Sequence, residues 1–228
     1  MKKITVLLSD DHAVFREGLR SLLQATDDID VIGEAEDGHS AVAEAIRLQP
    51  DVVLMDIAMP RLNGVEAARR IARQVPAAKV LILSTYSDDQ HVQQAIEAGA
   101  SGYFTKTAPA AGLLRAVRRT GKTSTSFSHS IASRLLKPRQ KRELQSKSNA
   151  TLPLSSRQTE VLQLIAEGCS NKRIASLLSV SPKTVEKHRQ LVMDKLDIHE
   201  VATLTRYAIS SGLVESAPAS GSGALERW

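Results

Sequence analysis

The stretch Val52-Val-Leu-Met-Asp56, running on through Ile57-Ala-Met-Pro60 to Asn63-Gly64, is four apolar residues closed by a carboxylate and followed by a turn. Val52 to Met55 reads as a short strand buried on both faces, because its apolar residues lack the polar alternation of a half-solvated strand. The same texture recurs on either side, at Ile4 to Leu8, Val31 to Ala35, Val80 to Leu83 and Gly102 to Phe104. A segment of helical period follows each strand. In the first of these segments Phe15, Leu19, Leu22 and Leu23 gather on one face, and the others begin near Gly38, Asn63, Asp88 and Ala108. Short buried strands alternating with helices predict an α/β doubly wound parallel five-stranded sheet over residues 1–120.

The chain of 228 residues is long enough for one or two domains with real cores. Its 42% hydrophobic and 24% charged content is that of a globular protein, and no apolar run nears the roughly 18 residues of a membrane span. The basic start Met1-Lys2-Lys3 is followed by only Ile4 to Leu8 before Ser9 and Asp10, too short for a secretory signal. The expectation is a cytoplasmic protein without a membrane partner. A single cysteine, Cys169, excludes an intrachain disulfide and a thiolate zinc cluster. Charge is divided unevenly: residues 1–120 carry 14 Lys and Arg against 16 Asp and Glu, net −2, while residues 121–228 carry 16 against 9, net +7. A basic second half suits an anionic polymer, although a merely solvated surface would show the same sign.

From residue 121 to 153 Ser and Thr crowd together, a short amphipathic stretch covers Ile131 to Leu136, and a basic run extends from Lys137 to Lys147, the composition of a linker with a short helix. Residues 154–214 read as an all-α four-helix domain. Ser155 with Gln158 forms a capping box, Gly168 ends that helix, Ser170 caps the next, Ser181-Pro182 opens a third, and a last helix spans His199 to Ser211. Residues 215–228 read as a flexible tail.

Ligands of a doubly wound sheet bind beyond the carboxyl ends of its strands. Asp10 and Asp11 close the first strand and Asp56 the third, and paired carboxylates are what a hard ion such as Mg2+ binds. Ser84 ends the fourth strand and the fifth leads to Lys106, a hydroxyl and an ammonium suited to phosphoryl oxygens. A strand-end carboxylate can also act as a nucleophile toward a phosphoryl donor, and Asp56 is the candidate. Any one of these residues alone would more simply be a cap or a loop hydrogen bond. Five of them at five particular places, on four strand ends, form a pattern.

Leu8-Ser-Asp-Asp-His12, Val53-Leu-Met-Asp-Ile-Ala-Met-Pro60, Asn63-Gly64, Leu83-Ser84 and Gly102-Tyr-Phe-Thr-Lys106 resemble the receiver domain, a flavodoxin-like fold, of bacterial two-component response regulators. The resemblance implies that Asp56 accepts phosphate from a sensor histidine kinase. It also implies that Asp10, Asp11, Asp56 and the Ile57 carbonyl hold Mg2+, that Lys106 contacts the phosphoryl group, and that Ser84 and Tyr103 form a switch pair whose ring turns inward. The sequence departs from many receivers after Lys106, where Thr107 and Ala108 precede Pro109.

Ser170-Asn-Lys-Arg-Ile-Ala-Ser-Leu-Leu-Ser-Val-Ser-Pro-Lys-Thr-Val-Glu-Lys-His-Arg189 reads as helix, tight turn, helix. In its second helix Val185, Val192 and Leu196 form an apolar stripe, while Lys183, Glu186, Lys187, Gln190 and Asp194 form a polar one that can face a major groove. Lys183, Thr184, His188 and Arg189 suit phosphate contacts, and Glu186, Lys187 and Gln190 can reach base edges. Periodicity alone would equally describe a solvated amphipathic helix. Leu154 to Gly168, Asn171-Lys172, Lys183 to His188 and Lys195-Leu196, however, resemble the LuxR-type helix-turn-helix, with Leu191 departing from the polar residue often found there. Together the two resemblances point to the NarL/FixJ type of response regulator. They imply promoter DNA and a sensor kinase as partners and a homodimer when phosphorylated, and they admit RNA polymerase as a further partner.

Other signals are weaker. Thr120-Gly-Lys-Thr-Ser124 lacks the first glycine of a P-loop, having Ala116 there. Asn149-Ala-Thr151 spells a glycosylation site that a cytoplasmic chain would not use, and Cys169 reads as a packed thiol. A Mg2+-dependent phosphohydrolase is the rival of a different class. It would place an acid/base Asp two residues after the nucleophile, where this chain has Ala58, so an enzyme is not expected.

Overall fold

The computed structural model describes residues 2–85, 88–122, 126–127 and 154–214. Its first unit has strands β1 (Ile4–Ser9), β2 (Ile29–Ala35), β3 (Val52–Asp56), β4 (Lys79–Ser84), β5 (Gly102–Thr105) and β6 (Ser126–Phe127). The helices are α1 (Ala13–Gln24), α2 (Gly38–Leu48), α3 (Gly64–Gln74), α4 (Asp89–Glu97) and α5 (Ala110–Lys122). The strands form one parallel sheet in the order β2-β1-β3-β4-β5-β6.

Alternation along each central strand divides the core between two layers. Val53, Met55, Val80 and Ile82 face Ala41, Ala45, Ala67, Ala68, Ile71 and Val92 of α2, α3 and α4. Val52, Leu54, Leu81 and Leu83 face Leu19, Leu23, Leu113 and Val117 of α1 and α5. Phe15 and Leu22 complete the α1 face expected from the spacing.

The five expected strands are all present. The sixth, β6, was not anticipated, since two residues carry no periodicity, and it pairs parallel to β5 through Gly102 with Ser126 and Tyr103 with Phe127. The first unit therefore outruns residue 120. Helix α5 continues to Lys122, and a Cβ on Gly121 would lie 2.9 Å from Ile4 Cγ2, so this glycine packs a helix onto β1 and belongs to no phosphate loop. The linker helix over Ile131 to Leu136, the basic run Lys137 to Lys147 and the tail 215–228 lie outside the described residues.

The second unit is helical: α6 (Ser156–Ala166), α7 (Asn171–Leu177), α8 (Pro182–Leu196) and α9 (Val201–Ser210). The caps follow the sequence. Ser155 and Gln158 make a reciprocal capping box, Ser170 caps α7, Ser181 caps α8 with Pro182 behind it, and Gly168 leaves α6 at φ +80°, where a side chain would be strained. Two apolar clusters hold the bundle, Val161, Leu164, Ile174 and Val185 in one, Leu162, Val192, Leu196 and Leu204 in the other. Among the described residues no helix is long and apolar enough to cross a membrane.

Candidate phosphoacceptor site and nucleic-acid interface

The carboxyl ends of β1, β3, β4 and β5 converge as the parallel register requires, since β3 pairs with both β1 and β4, and β4 with β5. Asp10 and Asp56 are buried at 1% and 2% exposure, and Asp11 is open to solvent. The Nζ of Lys106 lies 2.9 Å from Oδ2 of Asp10 and 2.9 Å from Oδ1 of Asp56, bridging the two carboxylates. The same Nζ lies over the Phe15 ring, 4.7 Å from the centroid, and the Lys106 backbone N–H donates to the Ser84 carbonyl at 2.8 Å. Asp10 is held from behind: its Oδ1 accepts the His12 N–H at 2.9 Å, and Arg16 spans the Asp10 carbonyl and Glu34.

Three carboxylates stand against one ammonium, and the titration of the site reflects it. Burial pushes Asp56 up to about 6; Lys106 opposes the shift, and the charges of Asp10 and Asp11 reinforce it. Burial would lower Lys106, but the charge of Asp56 and the hydrogen bonds to Asp10 and Asp56 outweigh it and hold the ammonium above its ordinary value. The Oδ2 of Asp56 is buried and has no hydrogen-bond partner among the described residues. Ligand atoms of Asp10, Asp11, His12 and Asp56 lie within 4.8 Å of one another. A divalent cation fits this donor set, because it would satisfy the orphaned oxygen and offset the excess negative charge.

The Ile57 carbonyl accepts the N–H groups of Gly64 at 2.7 Å and Met59 at 3.1 Å within the loop that follows Asp56. The Tyr103 hydroxyl is hydrogen-bonded with Ser84. The Tyr103 ring is already inward at 1% exposure, and burial pushes its hydroxyl up to about 12.

In the second unit Lys172, Lys183, Glu186, Lys187, Gln190 and Asp194 are exposed, and Gln190 reaches Asp194 at 2.7 Å. The polar stripe of α8 thus faces solvent and the apolar one the core. Three residues expected to touch DNA have structural ties. Thr184 meets the Ser181 cap at 2.8 Å, Arg189 reaches Asn171 at 3.4 Å, and His188 is half-buried. Leu191 stands among the polar residues at 37% exposure.

The contact of the two units was not legible in advance. Helix α6 is buried on both sides, and its Glu160 and Gln163 reach the first unit. The one hint is Gln163 itself, a lone polar residue within Val161-Leu-Gln-Leu-Ile165.

Residues 6–118 match the family described as the response regulator receiver domain, and residues 152–208 that of bacterial regulatory proteins, luxR family. The transcriptional regulatory protein LiaR of Bacillus subtilis is 39% identical over 92% of this chain and 99% of its own. The response regulator protein VraR of Staphylococcus aureus is 35% identical over 93% and 99%. Among solved structures, the RcsB response regulator of Salmonella typhimurium, studied for DNA interaction, is 25% identical with a TM-score of 0.55 over 92% of this chain and 100% of its own. With both modules matched and relatives aligned over nearly their whole length, this chain belongs to the response regulators of two-component systems that carry a luxR-family helix-turn-helix.

Proposed function

We propose that the chain accepts a phosphoryl group on Asp56 from a sensor histidine kinase and, so modified, binds promoter DNA through α7 and α8 to regulate transcription. The observation that carries this reading is the Asp10–Lys106–Asp56 bridge, with one Asp56 oxygen held by Lys106 and the other buried without a hydrogen-bond partner among the described residues. In the transfer an Asp56 oxygen forms the new O–P bond while the N–P bond of the donor phosphohistidine breaks, and the imidazole leaves with a proton. Asp10, Asp11 and Asp56 would hold Mg2+, which supplies charge neutralisation for the phosphoryl oxygens. Lys106 positions Asp56 and receives a phosphoryl oxygen once the aspartate charge is spent. Ser84 offers its hydroxyl to the same group, with Tyr103 packed behind it. The roughly 1.5 to 2 added negative charges bias the surrounding loops toward a second arrangement.

On the DNA side, Lys172, Lys183 and the half-buried Arg189, His188 and Thr184 supply phosphate contacts, and Glu186, Lys187 and Gln190 supply base contacts. Dimerisation on paired half-sites falls to the last helix. The sensor kinase and promoter place the chain in the cytoplasm.

Intact mass and gel filtration with acetyl phosphate and Mg2+, wild type beside Asp56→Asn, test this directly. The expected result is a gain of about 80 Da and a shift toward dimer on wild type alone. A gain on both proteins would place the acceptor elsewhere.

A further inference from the structure

Beside the carboxylates of the Asp56 site stands a donor of a different kind. His12 follows Asp10 and Asp11 directly and occupies the N-cap position of α1. Ser, Thr, Asp or Asn usually fills that position, because a short oxygen side chain accepts the N–H groups of the first turn. The His12 side chain makes no such cap hydrogen bond. Its ring turns to the carboxylates instead, with Nδ1 2.9 Å from Oδ1 of Asp11 and 3.4 Å from Oδ1 of Asp10. The backbone fixes this placement: the His12 N–H donates to Oδ1 of Asp10 at 2.9 Å, and the His12 carbonyl accepts the Arg16 N–H at 2.9 Å. The chain forgoes a cap worth about 1 kcal/mol and sets an imidazole at the rim of the site.

Lys106 divides the carboxylate oxygens. It engages Oδ2 of Asp10 and Oδ1 of Asp56, which leaves Oδ1 of Asp10 and Oδ2 of Asp56 for an ion. Asp56 is 2% exposed, and its Oδ2 has no hydrogen-bond partner among the described residues. Three carboxylates and one ammonium leave two negative charges, which a divalent ion balances. A neutral imidazole adds a fourth protein donor without disturbing that balance. One ligand atom from each of Asp10, Asp11, His12 and Asp56 lies within 4.8 Å of the others, close to the span of about 4 to 4.5 Å between donors on opposite sides of one ion.

From this geometry we infer that His12 is a metal ligand, and that the Asp56 site binds a first-row transition dication, of the series from Mn2+ to Zn2+, in preference to Mg2+. The physical reason is the nitrogen. Mg2+ is a hard ion that selects oxygen and keeps its waters, so an imidazole adds little to its binding. Transition dications bond well to imidazole, so His12 raises affinity for them alone. When Nδ1 ligates, the neutral ring carries its proton on Nε2, and the contact of Nδ1 with Asp11 gives way to a bond with the ion. The inference rests on the reading that Asp10, Asp11 and Asp56 hold a divalent ion, and adds the fourth ligand and the kind of ion it selects.

The test uses full-length protein stripped of metal by chelator. Wild type, His12→Ser and Asp56→Asn are titrated calorimetrically with Mg2+ and with Mn2+, the weakest binder of the transition series. Serine is a favoured N-cap, so His12→Ser preserves α1. Pulsed electron paramagnetic resonance of bound Mn2+ reads nitrogen coordination directly, through modulation of the spin echo by nitrogen-14. Wild type is expected to show imidazole coupling that vanishes when His12 alone of the six histidines is replaced. In His12→Ser the Mn2+ affinity should fall at least fivefold while that for Mg2+ stays within twofold. No nitrogen coupling in wild type, coupling that survives in His12→Ser, or an equal loss for both ions would overturn the assignment. Asp56→Asn should weaken both ions at least fivefold. If it binds both as tightly as wild type, the carboxylate site falls and His12 with it; if it weakens both while wild type shows oxygen ligands alone, the carboxylate site stands and only the His12 ligand falls. Acetyl phosphate with Mn2+, followed by intact mass, is the separate arm. No gain of mass on a protein that shows the His12 coupling would end the phosphorylation reading and leave the ligand in place.

Discussion

Lys106 stands 2.9 Å from both Asp56 and Asp10, one cation shared by two carboxylates that are each almost wholly buried. Removing it leaves two like charges facing each other in a desolvated pocket, where ionisation of one disfavours the other. Lys106→Ala should slow phosphorylation by acetyl phosphate at least tenfold, followed by intact mass, while far-ultraviolet circular dichroism stays that of wild type. Labelling at the wild-type rate would deny Lys106 its positioning role.

The pH dependence of stability includes two opposed contributions from buried carboxyl groups. Asp56 is raised from 3.8 to about 6, so its contribution is fully present below the unfolded value and is lost as pH rises through about 6. Glu160 is lowered from 4.5 to about 2, because the hydrogen bonds of His39 and Arg157 and the charges of Arg70 and Arg157 overcome its burial. Its contribution is present above pH 4.5 and is lost as pH falls toward 2. Thermal melts in chelator should show Asp56→Asn flattening the loss between pH 4 and 6, and Glu160→Gln flattening the loss below 4.5. Parallel curves for wild type and both variants would refute the assignment.

Phosphate and base contacts separate by their salt and sequence dependence. Lys187→Ala should cost about 1–3 kcal/mol on a duplex enriched from a randomised pool by acetyl phosphate-treated wild type and little on random DNA, whereas Lys183→Ala should weaken both alike and lower the salt slope by about 1. Titrations by fluorescence anisotropy at several salt concentrations decide this, and equal losses for Lys187→Ala would make it a phosphate contact.

Gly64 fixes the loop geometry. A Cβ there would overlap the Asp56 carbonyl oxygen, an approach that no rotamer relieves because the backbone fixes the position of both atoms. Gly64→Ala should destabilise the receiver by about 2 kcal/mol or more in urea unfolding and slow phosphorylation together. Wild-type values for both would mean that the loop yields freely.

Much of this was legible along the chain, because it depends on local periodicity. Continuous apolar strands leading to Asp10, Asp56 and Ser84 specify a parallel sheet with its site at the carboxyl ends, and Ser155, Ser170 and Ser181 mark helix starts through hydrogen bonds spanning three residues, with Pro182 at a first helical position. The two-residue β6 has no period to read, and the Ile57 carbonyl is committed to Gly64 by a turn whose closure only coordinates reveal. The tertiary structure alone decided the rest. That Lys106 is shared by two carboxylates follows from parallel register, and that Gln163 reaches Asn63, 100 positions away, follows from two domains meeting. A long-range hydrogen bond between an amide and a backbone leaves no pattern in composition or spacing, so the sequence specified the two modules while their packing set the contact between them.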